Sequence, residues 1–215
     1  MEWMLASLAA AAVAYLLGSV NCAVLFSTAF FGEDIRNHGS GNAGTTNMLR
    51  TYGAKAAALT FAGDIFKGVL AVWLGRLLFL LLGAGAQQVY GGYLAGYAAI
   101  LGHMFPLYFR FKGGKGVATG LGAVCAINPP VFGVVFTVGI LIAAVSGFVS
   151  LASLSGAVLF PLLLAVSMLM KNGAIAPAEL LLACGIALLV IYNHRENIKR
   201  LRSGTENKFY KKKPL

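Results

Sequence analysis

The chain alternates long apolar runs with short polar segments. The runs cover roughly 3–28, 54–82, 88–107, 117–128, 131–147, 149–170 and 176–193. Most approach the ~20 residues that an α-helix needs to cross the hydrocarbon core of a bilayer. The pattern lacks the short alternating segments of a membrane barrel. It predicts an all-α, polytopic membrane protein with seven transmembrane helices in one domain, 1–215. The run at 117–128 is the short one, because twelve residues at ~1.5 Å each reach only about 18 Å. It stays separate from the next run because Asn128-Pro129-Pro130 breaks a helix there.

Composition agrees with a membrane protein. Mean hydropathy is +0.79 and 11% of residues are charged, too few to cover a soluble domain of this length. Glu2 in place of a basic start, and a run of about 26 residues, distinguish the first span from a removable signal peptide. No internal repeat is evident. Cys22, Cys125 and Cys184 lie in separate apolar runs, where buried free thiols are expected.

The net charge of +10 is unevenly placed. Loops 32–53 and 108–116, the tail from 194, and Lys55 hold fourteen of the seventeen Lys and Arg residues. The positive-inside rule puts these segments in the cytoplasm and the N-terminus outside. Fusing the short run with its successor would move the basic tail to the other side. No platform of interleaved aromatic and basic residues suggests nucleic acid. The Lys211–Lys213 run suits anionic lipid headgroups.

Within this apolar frame, residues 39–50 read GSGNAGTTNMLR. Gly39, Gly41 and Gly44 permit tight turns that aim several N–H groups into one hollow, a nest for an anion. Ser40, Thr45, Thr46, Asn42 and Asn47 add side-chain donors, and Arg50 adds a fork suited to phosphate oxygens. The apolar pattern resumes at Met48-Leu49 and from Ala54, so the loop runs into a helix N-terminus. A plain polar connector is the alternative. A second glycine-rich stretch, RFKGGKGVATG at 110–120, sets Lys115 before a helix without Walker spacing. Lys115 either meets a phosphate or, with Arg110 and Lys112, sets topology.

Other polar groups fall on the same side of the membrane under the seven-span topology. In HRENIKRLRSGTE, 194–206, His194 and Asn197 share a helix face and can bond a hydroxyl or phosphate. Lys199, Arg200 and Arg202 read as a solvated basic end on lipid. Asp64 and Lys67 fit a structural ion pair inside an apolar run. His103 is a base or an interfacial anchor for the turn at Pro106, and Ser150 and Ser153 donate to a ligand or cap their helix.

Absences narrow the chemistry. Asp34 and Asp64 are the only aspartates, and no carboxylates cluster for two-metal transfer or for a CDP-alcohol transferase. There is no His-x-x-x-x-Asp pair and no Gly-x-Ser-x-Gly elbow. A metal-free transfer from an already activated donor remains. A transporter of organic phosphates would place such residues near the midplane, usually with a repeat. A lipid scaffold would not need the loop at 39–50.

GSGNAGTTNMLR, Asp64…Lys67-Gly68, GHMFPLYFRFKGGKGVATG, the SLAS at 150–153 and HRENIKRLRSGTE together resemble the bacterial acyl-phosphate-dependent glycerol-3-phosphate acyltransferases, the PlsY family, over nearly the whole chain. The resemblance implies a bacterial inner-membrane enzyme of seven helices with its active site on the cytosolic face. It implies transfer of a fatty acyl group from acyl phosphate to the sn-1 hydroxyl of glycerol 3-phosphate, giving 1-acylglycerol 3-phosphate and inorganic phosphate. It implies no cofactor and no metal. Ser40, Gly41, Asn42, Gly44, Thr46 and Asn47 would cradle acyl phosphate. Arg50, Lys115, Ser153, His194 and Asn197 would hold glycerol 3-phosphate, and Asn197, His194, Lys115 and Arg50 would form the catalytic set. The bilayer supplies the setting, and contact with the soluble enzyme that makes acyl phosphate is expected.

Overall fold

The computed structural model describes residues 1–209, so the Lys211–Lys213 run expected at lipid headgroups lies outside the described residues. Nine α-helices form among the described residues. They are α1 Glu2–Ser19, α2 Cys22–Phe31, α3 Thr45–Leu81, α4 Gln88–Met104, α5 Val117–Ile127, α6 Pro129–Ser146, α7 Val149–Asn172, α8 Pro177–Asn193 and α9 Arg195–Arg202.

The expected count of seven membrane spans is corrected. Among the described residues, three segments are long and apolar enough to cross a membrane: Glu2–Phe31, α6 and α7. Counting the bent pair of α8 and α9 as one span makes four. Helix α4 has only 17 residues and α5 only 11. Helix α3 changes direction at Gly53 (φ 84°) and carries Asp64, Lys67 and Arg76 along its length. The assignment of an outside N-terminus and a cytosolic C-terminus rested on the count of seven and falls with it. The all-α, multi-pass character stands.

Local chemistry sets the breaks. Between α1 and α2 the chain is extended at Val20, and the Asn21 side chain accepts from Val24 N at 3.0 Å, starting α2 afresh. The Asn128 side chain likewise accepts from Val131 N, and Pro129 opens α6. The loop after α2 is shorter than the polar segment 32–53 suggested, because α3 already begins at Thr45.

Helix α3 packs against α1, α4 and α5, while α6, α7 and α8 close the other side. In lipid no hydrophobic force drives helices together, so close van der Waals fit does. The α3–α5 contact shows how close that fit is. A methyl group on Gly68 would lie 2.2 Å from Thr119 O, and one on Gly122 would lie 2.1 Å from Ile65 O. Ile100, Phe160, Leu164 and Val190 are buried where α4, α7 and α8 meet. This frame brings the first loop, the glycine-rich loop before α5, the start of α7 and the α8–α9 joint to one end of the bundle.

Candidate active site

The first loop is built around Asn47. Its Oδ1 accepts from Ser40 N at 2.9 Å, and its Nδ2 donates to His38 O at 2.9 Å and Ile35 O at 3.2 Å. The amide therefore holds the loop in shape. Gly39 and Gly41 take left-handed φ values of 58° and 71°, which give the loop its tight turns. Gly44 caps α3 and leaves Thr45 and Thr46 in its first turn, where N–H groups have no intrahelical acceptor. Thr45 Oγ1 is buried with no partner among the described residues.

Arg36 ties this loop to the second. It pairs with Asp34 at 2.6 Å and donates through Nη1 to Phe109 O at 3.0 Å and Lys112 O at 3.2 Å. Its hydrogen bonds to Asp34 are the main reason that carboxyl sits below the usual carboxylate range. Lys115 follows, with Gly116 at φ 79° leading into α5.

Helix α9 leaves α8 at 57° across His194. This bend turns Asn197 and Arg200 towards Lys115. Lys115 Nζ donates to Asn197 Oδ1, and Asn197 Nδ2 donates to Glu206 Oε1 at 2.8 Å. Ser150 Oγ reaches the same carboxylate oxygen at 3.0 Å, and Arg200 Nε reaches Oε2 at 2.8 Å. The segment after α9 is strapped in place. Arg50 Nη2 donates to Asn207 O at 3.0 Å, and Phe209 N donates to Gly147 O at 3.0 Å. His194 Nδ1 lies 2.8 Å from Val190 O. A carbonyl only accepts, so Nδ1 carries the proton and the lone pair is at Nε2.

These groups surround a polar cavity of about 540 Å³. Ser40, Asn42, Gly44, Thr46, Asn47, Arg50, Lys115, Ser153, His194 and Asn197 all line it. Gly41 is the one predicted site residue that does not; it shapes the turn behind the wall. The wall also holds Thr45, a donor of the first loop, Ser150 and His103, each with two readings in the sequence, and Asp64, Arg200 and Glu206, which sequence reasoning leaves out of the site. Arg200 is part of the site rather than only a solvated base, whereas Lys199 and Arg202 are exposed as expected.

Basic side chains outnumber acidic ones in the cavity wall. Lys115 is pushed down to about 8, chiefly by burial and further by Arg200 and Arg50, with Glu206 acting the other way. Burial alone would raise Glu206, but hydrogen bonds from Asn197, Arg200 and Ser150 outweigh it and hold the carboxyl below its ordinary range. Next to the polar cavity lies an apolar groove of about 220 Å³ between α5, α6 and α7. The two share Phe61, Gly116, Val117, Val149 and Ser153.

The family model for glycerol-3-phosphate acyltransferase matches residues 8–204. The chain belongs to the glycerol-3-phosphate acyltransferase family. The glycerol-3-phosphate acyltransferase of Clostridioides difficile (strain 630) is 44% identical over 203 residues, covering 94% of this chain and 95% of the relative. That of Bordetella pertussis (strain Tohama I) is 43% identical over 213 residues, covering 98% and 95%. The fold is similar to a crystal structure of PlsY, an integral membrane glycerol 3-phosphate acyltransferase, in its glycerol 3-phosphate form. The TM-score is 0.82 at 38% identity, covering 95% of this chain and 96% of that one. The lysophosphatidic acid form gives 0.79 at 36% identity, covering 94% of both chains. This acyltransferase is thus a multi-pass enzyme of the bacterial inner membrane.

Proposed function

We propose that the enzyme transfers a long-chain acyl group from acyl phosphate to the sn-1 hydroxyl of glycerol 3-phosphate, releasing lysophosphatidic acid and inorganic phosphate. The observation that carries this reading is the junction of the two cavities. A polar chamber with Arg50, Lys115 and Arg200 in its wall shares Ser153 and Phe61 with an apolar groove. Such a junction suits a molecule with a phosphate at one end and an acyl chain at the other.

In this reading Ser40, Gly41, Asn42, Gly44, Thr46 and Asn47 form the acyl-phosphate cradle. Free N–H groups and hydroxyls at the start of α3 face the phosphate, and the Asn47 amide keeps the loop in register. Arg50, Lys115, Ser153, His194 and Asn197 hold glycerol 3-phosphate. The His194 Nε2 lone pair accepts the hydroxyl proton in a hydrogen bond and orients the oxygen towards the acyl carbon. The new ester C–O bond forms as the acyl carbon's bond to the phosphate oxygen breaks. The proton passes to the departing phosphate. Acyl phosphate is a mixed anhydride with a good leaving group, so positioning two reactants supplies much of the rate, about 7–11 kcal/mol at best. Arg50 and Lys115 stabilise charge on the phosphate. Contact with the soluble enzyme that supplies acyl phosphate belongs to the same reading, and co-purification tests it.

The deciding experiment adds palmitoyl phosphate and glycerol 3-phosphate to purified protein in detergent or lipid. Phosphate release that depends on glycerol 3-phosphate, with one lysophosphatidic acid per phosphate, is expected. Equal turnover with acyl-CoA would overturn the donor assignment.

A further inference from the structure

Below the polar cavity lies a buried charged group that the mechanism above does not use. Asp64 and Lys67 of α3 and His103 of α4 are 1%, 4% and 3% exposed. Lys67 Nζ lies 2.7 Å from Val20 O, 2.7 Å from Asp64 Oδ1 and 2.9 Å from His103 Nδ1. An ammonium has three protons and no lone pair, so three such neighbours must all be acceptors. His103 Nδ1 is therefore unprotonated. Asp64 Oδ1 is 3.5 Å from Nδ1, too far to compete with Lys67 for that position. The neutral ring must then carry its proton on Nε2.

That proton has no acceptor among the described residues. Among the described residues Nε2 makes no hydrogen bond, and both His103 and Asp64 are in the wall of the polar cavity. Gly114 packs against the ring: a methyl group there would sit 2.2 Å from His103 Nε2 and 2.6 Å from Ala43 O, so only glycine leaves Nε2 uncrowded. An N–H in the cavity wall with no partner among the described residues favours a ligand that supplies an acceptor.

We propose that His103 is a substrate-binding residue whose Nε2–H donates to a phosphate oxygen at the floor of the cavity, with Lys67 and Asp64 as positioning residues that fix its tautomer. The proposal rests on the reading that the cavity holds phosphorylated substrates. It also fixes what His103 does not do: with its only exposed nitrogen protonated, it is not the base. Donor and acceptor substrates both carry the required oxygen, and kinetics separates them.

The experiment compares His103→Gln, which keeps an N–H donor near the Nε2 position, with His103→Met, which keeps none. Loss of one hydrogen bond to a charged oxygen corresponds to about 10- to 100-fold in affinity. His103→Met is expected to raise one KM by that factor, and His103→Gln to recover most of it. A rise confined to acyl phosphate assigns the donor's phosphate; a rise confined to glycerol 3-phosphate assigns the acceptor's. Equal KM values in wild type and His103→Met, or no recovery by Gln, overturn the proposal. A purely structural role would lower the amount of folded enzyme and leave KM unchanged. Nitrogen-15 NMR of the wild-type protein, which has three histidines, needs no folded variant. It should show His103 protonated at Nε2, with that signal moving when inorganic phosphate is added. An Nδ1–H tautomer, or a signal unmoved at saturating phosphate, also overturns it. If wild type fails to use acyl phosphate, the functional reading fails, while the NMR result still decides His103.

Discussion

Asn197 Nδ2 donates to Glu206 Oε1 at 2.8 Å, and the other end of the same amide accepts from Lys115. Asn197 is thereby fixed with its oxygen towards the cation and its nitrogen towards the carboxylate. Glu206 also takes Ser150 and Arg200, so one acidic side chain orients three polar groups of a basic cavity. Replacing it by Ala leaves those donors without their shared acceptor. Glu206→Ala is expected to lower kcat/KM for glycerol 3-phosphate by about 10- to 100-fold, and Glu206→Gln by less. Steady-state kinetics alongside a thermal melt checks this. Wild-type kinetics in the Ala variant would show that Asn197 needs no such partner.

Lys115 gives a pH prediction. Its ammonium loses its proton near pH about 8 in the folded, empty enzyme, against an ordinary value of 10.5. Between these values the unfolded chain binds the proton and the folded one does not. This group therefore adds stability as pH rises through that window. Activity runs the other way. Above pH about 8 the free enzyme loses the cation that meets a phosphate, so kcat/KM for glycerol 3-phosphate falls by up to tenfold per unit. At saturating substrate kcat falls less, because bound phosphate retains the proton. Lys115→Arg should remove this descending limb, since guanidinium stays charged. A flat kcat/KM profile between about pH 7 and 9.5 in wild type would count against the role.

Much of the site could be read in the residues because its chemistry is local. The Gly/Ser/Thr/Asn loop, Lys115 after paired glycines, and His194 and Asn197 three apart all announce polar work inside an apolar chain. The structure brings them to one cavity. Glu206 carries no local signal because its role depends on the chain folding back past Gly147, which no short pattern encodes. His103 has two readings in the sequence because its tautomer is decided by Lys67, 36 positions away. The span count failed for a related reason. Apolar length suggests a crossing helix, but α3 carries Asp64, Lys67 and Arg76, and α4 and α5 are short. Glycine contacts such as Gly68 on Thr119 depend on helix pairing and are invisible along one chain.

Asn47 separates scaffolding from ligand contact. Its amide makes three hydrogen bonds within the loop region, to Ser40 N, His38 O and Ile35 O. Asn47→Ala leaves the Ser40 N–H without a partner and takes one of two donors from each of the Ile35 and His38 carbonyls, a cost of about 1–3 kcal/mol. The expected result is a lower unfolding midpoint together with a raised KM for acyl phosphate, because the cradle loosens. Asn47→Asp should be no rescue, since a carboxylate cannot donate to either carbonyl. Unchanged stability with a raised KM would instead make Asn47 a direct ligand.

The apolar groove gives the last prediction. Gly139 lies in its wall on α6, and a methyl group there meets nothing within 4 Å. A larger side chain at this position therefore occupies free volume without straining the helix. In the proposed reaction that volume belongs to the acyl chain. Gly139→Leu should leave the fold and the glycerol 3-phosphate KM unchanged while shortening the chain that fits. One lost methylene contact corresponds to about 0.8 kcal/mol, so displacing two or three changes selectivity by about 10- to 50-fold. Competition between palmitoyl phosphate and a ten-carbon acyl phosphate reads this directly: kcat/KM should shift towards the shorter donor. An unchanged ratio, with the variant folded, would move the chain out of this groove and onto a lipid-facing surface elsewhere.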